Sequence, residues 1–331
     1  MKFLIAGLGS IGRRHLRNLR SIGEDDIVLL RSGKSTLPDD EIGDYLTVHS
    51  VEEALEHHPD AVIISNPTAL HLDVAIPAAR AGSHLLLEKP ISHSMVRVDD
   101  LREAVKVGEG QVLVGFQFRY HPGLQAVARW LQEGRIGNPV SARAHWGEYL
   151  PDWHPWEDFR RSYAARANLG GGVVLTLTHP LDYMRWFFGD VLEVLSKVSR
   201  RGDWDIDVED TAEILLTHES GVLSSVHVDY IQRPPQHTIQ IIGTQGSIRW
   251  DNVDGIAHLY EAGQDRWERF SPPEDFVRND LFLDEMKHFL QVIREGRKPI
   301  CDLEDGIASL QAALAARESS EIGAIVSLEL G

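Results

Sequence analysis

Phe3-Leu4-Ile5-Ala6-Gly7-Leu8-Gly9-Ser10-Ile11-Gly12 carries an apolar run through three glycines at GxGxxG spacing into a helix-like stretch at 13–19. A strand, a glycine turn and a helix in that order form a dinucleotide-binding turn. Gly7 allows the tight turn, Gly9 lets backbone approach a pyrophosphate, and Gly12 lets the helix pack closely on the strand. The helix start at Ser10 and Ile11 then offers its free N–H groups to the anion.

Beyond this unit, apolar runs at 27–30, 61–65, 84–87 and 112–116 alternate with helical patterns at 51–57, 70–81 and 96–107. Such alternation predicts a doubly wound parallel sheet with helices on both faces, and ligands bind such sheets beyond the carboxyl ends of the strands. The segments to search are therefore 7–12, 31–34, 65–68, 88–90 and 117–120. From about residue 139 the rhythm changes to longer alternating strands, such as 222–230 and 237–242, which predict a large, open, mostly antiparallel sheet. A helix is expected at 181–188. Two amphipathic helices follow, one with Phe282, Met286, Phe289 and Ile293 on its core face, the other with Leu303, Ile307, Leu310 and Leu314 behind an Asp302 cap. The expected organisation is an α/β chain: a Rossmann domain at 1–120 and an α+β substrate-binding and oligomerisation domain at 121–331. The helix 303–319 is a candidate to pack back on the first domain.

The second strand ends without the acid that usually binds a ribose 2'-hydroxyl. Arg31-Ser32-Gly33-Lys34 stands there instead, two cations and a hydroxyl suited to a 2'-phosphate. This predicts NADP; if Arg31 and Lys34 are only solvated loop charges, NAD fits as well. A net charge of -17 disfavours nucleic acid and anionic lipid as partners, and no apolar run is long enough to span a membrane. Cys301 is the only cysteine, so there is no intramolecular disulfide and no cysteine zinc site, which fits a reducing, cytoplasmic setting. Sixteen histidines show no HExxH pattern, so no catalytic metal is expected.

The segment Ser65-Asn66-Pro67-Thr68-Ala69-Leu70-His71, then Gly82 and Leu85-Leu86-Leu87-Glu88-Lys89-Pro90, resembles the Gfo/Idh/MocA family of NAD(P)-dependent oxidoreductases. The resemblance continues through Gly115-Phe116-Gln117-Phe118-Arg119-Tyr120-His121-Pro122, Gly134 to Gly137, and Gly170-Gly171-Gly172 leading to His179 and Asp182. It covers nearly the whole chain. It implies that Ser65, Asn66, Pro67, Thr68, His71, Glu88, Lys89, Gln117 and Arg119 contribute to the cofactor site, and that the substrate is a sugar, cyclitol or related polyol.

Hydride transfer between a carbinol carbon and nicotinamide needs a group to carry the hydroxyl proton and a cation to steady developing alkoxide charge. Lys89, at the carboxyl end of a strand between Glu88 and Pro90, is the expected cation; a structural Lys-Glu pair is the competing role. His179 is the expected proton carrier. Pro180 suits the first turn of a helix, and a helix N-terminus favours a neutral imidazole able to accept a proton, whereas a mere capping role is the alternative. Asp182, one turn on, could orient substrate or ring. Where the family pattern has an aspartate after the glycines, this chain has Thr176, which cannot serve as a base. Around 146–163, Tyr149, Trp153, Arg161 and Tyr163 supply aromatic faces and polar tips suited to a polyhydroxylated ring, or to packing.

Three readings follow: an NADP-preferring sugar or polyol oxidoreductase, a redox-neutral glycoside-cleaving enzyme with tightly bound cofactor, and a non-catalytic sensor on the same scaffold. The alternation of Val222, Ser224, Val226, Val228 and Tyr230 is read as an apolar open sheet face, so a homodimer or homotetramer through the C-terminal sheet is expected.

Overall fold

The computed structural model describes residues 1–33, 42–155 and 157–329. In chain order its regular elements are β1 (Phe3–Ala6), α1 (Ser10–Ser21), β2 (Ile27–Leu30), β3 (Leu46–Val48), α2 (Val51–Glu56), β4 (Ala61–Ile64), α3 (His71–Arg80), β5 (His84–Leu87), α4 (Val98–Gly108), β6 (Val112–Val114), α5 (Pro122–Gln132), β7 (Pro139–Gly147), α6 (Val173–Thr176), α7 (His179–Phe188), β8 (Val191–Ser199), β9 (Thr211–His218), β10 (Leu223–Asp229), β11 (Gln236–Gly243), β12 (Gly246–Asp251), β13 (Ala257–Glu261), β14 (Trp267–Phe270), α8 (Arg278–Glu295), α9 (Leu303–Ile322) and β15 (Val326–Ser327). The chain forms two compact units. The first comprises Met1–Gln117, Asn168–Gly170 and Arg278–Ile307, the second Phe118–Ala167, Gly171–Val277 and Ala308–Gly331.

The first unit is built on a six-stranded sheet in the order β3-β2-β1-β4-β5-β6, with every pair parallel. Strands β1, β2 and β4 are apolar at every position and buried throughout, as expected of a sheet covered on both faces. Strand order reverses between β1 and β4, so the turns after these two strands flank the crevice where such sheets take ligands. Helix α8 belongs to this unit because its stripe is part of its core: Met286, Phe289 and Leu290 lie in one cluster with Phe3, Ile5, Leu19 and Leu29.

The second unit holds a nine-stranded mixed sheet, β14-β13-β12-β11-β7-β10-β9-β8-β15, in which only β7 and β10 pair in parallel. Helix α5 packs on β12 and β13, α6 on β9 and β10, and α7 on β7 and β10. These helices overturn one expectation. Val222, Ser224, Val226, Val228 and Tyr230 are all buried, so that alternation marks the inward face. Period 2 reveals that a strand has two unlike faces, but not which of them a helix will cover. The other face carries Leu195, Leu215, Leu223 and Ile242, each at least 40% exposed.

The Asp302 cap is present: its carboxylate accepts from the Asp305 N–H at 3.1 Å, and Asp305 accepts from the Asp302 N–H at 3.2 Å, a reciprocal capping box. Among the described residues no helix is long and apolar enough to cross a membrane.

Candidate active site

The glycine turn has the shape its spacing implies. Gly7 has φ +91°, and a Cβ there would lie 2.6 Å from the Asn66 backbone. A Cβ on Gly12 would stand 2.0 Å from the Gly7 carbonyl oxygen, so only glycine lets α1 start this close to β1. Gly9, at the N-cap of α1, is different: a Cβ there meets nothing within 4 Å. Protein packing does not require that glycine, and the space it leaves adjoins the first turn of α1, whose N–H groups have no partner within the helix. The Ser65 hydroxyl donates to the Ala6 and Gly7 carbonyls at 3.1 and 2.9 Å, stitching the turn after β4 to the turn after β1. Two buried acceptors beyond strand ends of this sheet have no hydrogen-bond partner, Asn66 Oδ1 after β4 and Gln117 Oε1 after β6. An open glycine, a helix start and unsatisfied amides fit a dinucleotide ending in a carboxamide-bearing ring.

After β5 the chain places Glu88 and Lys89. Glu88 is buried and its Oε1 lies 2.8 Å from His15 Nε2, while its Oε2 accepts from the Lys89 N–H at 3.3 Å. Burial alone would push the Glu88 carboxyl up, but the His15 hydrogen bond and the charges of His15, Lys89 and His71 outweigh it and hold the pKa below its ordinary value. Glu285 of α8 joins them. It is 0% exposed, both its carboxyl oxygens lack a hydrogen-bond partner, and one ligand atom from each of His15, Glu88 and Glu285 lies within 4.8 Å of the others. Burial, then repulsion from Glu88, pushes Glu285 well above the usual carboxylate range, against the pull of Lys89. Lys89 thus follows a carboxyl group biased toward its charged form and lies within electrostatic reach of a second one biased toward its neutral form. Pro67 and Thr68 lie in the turn that follows Asn66, Pro67 capping a short 3-10 turn that begins at Thr68. His71, at the start of α3, lies 3.0 Å from both the Asn66 and Pro90 carbonyls and ties the post-β4 turn to the segment carrying Lys89. Burial lowers its pKa, so the neutral ring donates to one of these carbonyls.

In the second unit, His179 is the first residue of α7, one position earlier than Pro180, and is 1% exposed. The Phe118 ring meets it edge-on at 4.9 Å and Trp146 lies at 5.4 Å. Asp182, one turn along, is gripped at both oxygens by Arg119, whose Nη2 and Nε donate at 2.7 and 3.1 Å, with both side chains almost fully buried. This fork is the charge-assisted bidentate geometry that fixes a guanidinium and a carboxylate in one arrangement. Thr176, the last residue of α6, is buried beside the Tyr230 hydroxyl.

Residues 1–116 match the oxidoreductase family GFO/IDH/MocA, NAD-binding Rossmann fold, and residues 124–249 match the GFO/IDH/MocA C-terminal domain. The chain belongs to the Gfo/Idh/MocA family of oxidoreductases. Among its curated relatives is the myo-inositol 2-dehydrogenase of Thermotoga maritima, 29% identical over 352 residues that cover 99% of both chains. Another is the inositol 2-dehydrogenase of Rhizobium meliloti, 25% identical over 96% of each. Levoglucosan dehydrogenase, solved with NADH and levoglucosan, shares the fold over the full length of both chains with a TM-score of 0.89 at 19% identity.

Within this Gfo/Idh/MocA oxidoreductase, the first unit gathers Gly7, Gly9, Ser10, Ile11, Gly12, Ser65, Asn66, Pro67, Thr68, His71, Glu88, Lys89 and Gln117 beyond the strand ends of one sheet. Arg31 and Ser32 follow β2. Lys34 lies outside the described residues. The second unit holds His179, Asp182 and Arg119 together. Among the aromatic candidates, Tyr149 packs on Trp204 at 5.4 Å with the Arg233 guanidinium 4.0 Å over its ring. Trp153 meets Tyr230 edge-on at 5.5 Å, Tyr163 is half-buried, and Arg161 is exposed. Sequence reasoning missed His15 and Glu285. A signal existed for the second: Glu285 stands inside the stripe Phe282, Met286, Phe289, where a carboxylate is out of place.

Proposed function

We propose that the protein is an NADP-preferring dehydrogenase or reductase acting on a secondary alcohol or ketone of a sugar, sugar derivative or cyclitol. The observation that carries this reading is Lys89, held at the carboxyl end of β5 by the buried His15–Glu88 pair, in the same unit as a glycine turn kept open at Gly9. The end-to-end likeness to an inositol dehydrogenase supports the substrate class, and Arg31 after β2, where an acid would favour NAD, supports the cofactor preference.

A bound nicotinamide would supply the hydride acceptor for oxidation of the carbinol carbon, or the hydride donor for the reverse reaction. Ser10, Ile11 and the rest of the first α1 turn would hold the pyrophosphate through backbone N–H groups, and Asn66 and Gln117 would orient the ring. In the oxidative direction His179 takes the hydroxyl proton as the C–H bond breaks and the C=O bond forms. Lys89 is the cation in the first unit suited to steady developing alkoxide charge, which a preorganised cation does without rearrangement. Asp182, fixed by Arg119, orients the substrate.

Nicotinamide absorbance followed with NADP+ and with NAD+ across sugars, sugar acids, amino sugars and inositols tests the reading. Turnover that is stronger with NADP+ and lost in Lys89→Ala, with nucleotide binding intact, is the expected result. Silence across the panel with nucleotide still bound would overturn it.

A further inference from the structure

The helix-free face of the nine-stranded sheet carries a second constellation. Parallel pairing of β7 and β10 sets His145 directly opposite His227, and the two rings stack with centroids 4.5 Å apart at 18°. Two residues along the same face of β10, Asp229 is anchored by one carboxylate oxygen, Oδ1, which accepts from the Ile231 and Gln232 N–H groups at 2.7 Å each. Its other oxygen, Oδ2, points back to His227 Nε2 at 2.9 Å. Gln232 donates from its Nε2 to Gln236, leaving its Oε1 against His145 Nε2 at 2.5 Å. The residue opposite Asp229 on β7 is Gly147, where a Cβ would fall 2.3 Å from both Asp229 Oδ2 and Gln232 Oε1. A side chain there would fill the space on which these atoms converge.

We propose that His145, His227 and Asp229, with the Gln232 carbonyl, form a binding site for one divalent transition-metal ion of the zinc class. Two imidazoles, a carboxylate and an amide oxygen suit zinc, cobalt or nickel better than magnesium or calcium, which prefer all-oxygen sets. One ligand atom from each of the three main residues lies within 4.8 Å of the other two. Tetrahedral zinc at about 2 Å from each ligand needs roughly 3.3 Å between them, so the hydrogen-bonded pairs His227–Asp229 and His145–Gln232, at 2.9 and 2.5 Å, open by less than an ångström as the ion replaces their protons, while the His145–His227–Asp229 ligand atoms already lie within 4.8 Å of one another. The outer shell is already in place: Glu213 on β9 holds His227 Nδ1 at 2.6 Å, the carboxylate–histidine arrangement that leaves Nε2 to face the metal. Other charged groups on this face include Lys197 on β8, opposite Glu213, Glu193 on the same strand, Arg143 on β7, two residues before His145, and Arg249 on β12. An ion here clamps the one parallel pair of the sheet, and the site is independent of Lys89 and His179.

Chelator-treated full-length protein titrated with zinc chloride in a calorimeter, and with cobalt chloride in a visible spectrometer, tests the proposal. One ion per chain at micromolar affinity or tighter, with the intense visible bands of tetrahedral cobalt, is expected. His227→Ala and Asp229→Asn should weaken binding at least a hundredfold, and Glu213→Gln about ten- to a hundredfold as an outer-shell partner. Uptake by Lys89→Ala should match the native chain. Absence of stoichiometric uptake, or uptake indifferent to His145→Ala and His227→Ala because other histidines bind the ion, overturns the site. Should a variant fail to fold, a native protein that shows no tetrahedral cobalt bands overturns the site, and Glu213→Gln, which keeps every ligand, tests its location through weakened uptake.

Discussion

Glu285 is a carboxyl group with no hydrogen-bond partner in a fully buried position, next to a second carboxylate. Its folded pKa lies above the unfolded one, so the stability it contributes is complete below about pH 4.5 and is lost as pH rises toward the folded value. Glu285→Gln keeps the shape and removes the titration. In urea unfolding between pH 5 and 9, the native chain is expected to lose stability relative to this variant as pH rises; parallel curves would contradict the assignment. His121 behaves in the opposite sense. Burial lowers its pKa to about 4, and its neutral Nδ1 accepts from the Gly123 N–H at 3.0 Å as the cap of α5. The unfolded chain binds the proton first, so roughly 3 kcal/mol is present at neutral pH and lost as pH falls from about 6.5 to 4. His121→Asn, which keeps a cap acceptor, should flatten that part of the stability profile. Neither residue's role was legible in the sequence, because a titration shift depends on what packs around a group. The placements of Lys89 just after β5 and His179 at the start of α7 were legible, because strand ends and helix starts can be read from local pattern.

The two ends of the glycine turn separate packing from binding. Gly12→Ala places a methyl 2.0 Å from the Gly7 carbonyl oxygen and should cost about 1–3 kcal/mol in unfolding free energy through overpacking. Gly9→Ala finds open space at an ordinary φ of -71° and should leave stability nearly unchanged while nucleotide affinity falls about tenfold or more. Paired denaturation and nucleotide titration distinguish them, and a Gly9→Ala chain that binds nucleotide normally would remove the phosphate from this turn. Legibility followed the same division. The parallel strands, α8 and the Asp302 cap are written in spacing and composition, which act locally. The burial of Val226 and Val228 was not, because α6 and α7 cover that face and lie more than thirty residues away in the chain.

At the scale of the whole molecule, the first unit's core is completed by a segment more than 170 residues downstream of its sheet, which ends at Val114: Met286, Phe289 and Leu290 fill the cluster around Phe3 and Ile5. A fragment ending at residue 120 therefore exposes that apolar surface. It is expected to keep secondary structure, lose near-ultraviolet dichroism and bind a hydrophobic dye, while the same fragment joined to residues 278–307 recovers fixed packing. A fully cooperative 1–120 fragment would show that α8 is dispensable.

The parallel pairing of β7 with β10 also sets a timetable. Both neighbours of β7 in the sheet are β10 and β11, and its Ser141 pairs with Leu223, 82 residues later. At about 5–20 residues per second, a nascent chain leaves β7 with two open edges for roughly 4–16 s before either neighbour is synthesised. The segment that centres the sheet is thus the one longest exposed to the wrong partner during synthesis, and co-translational chaperones should be found on it.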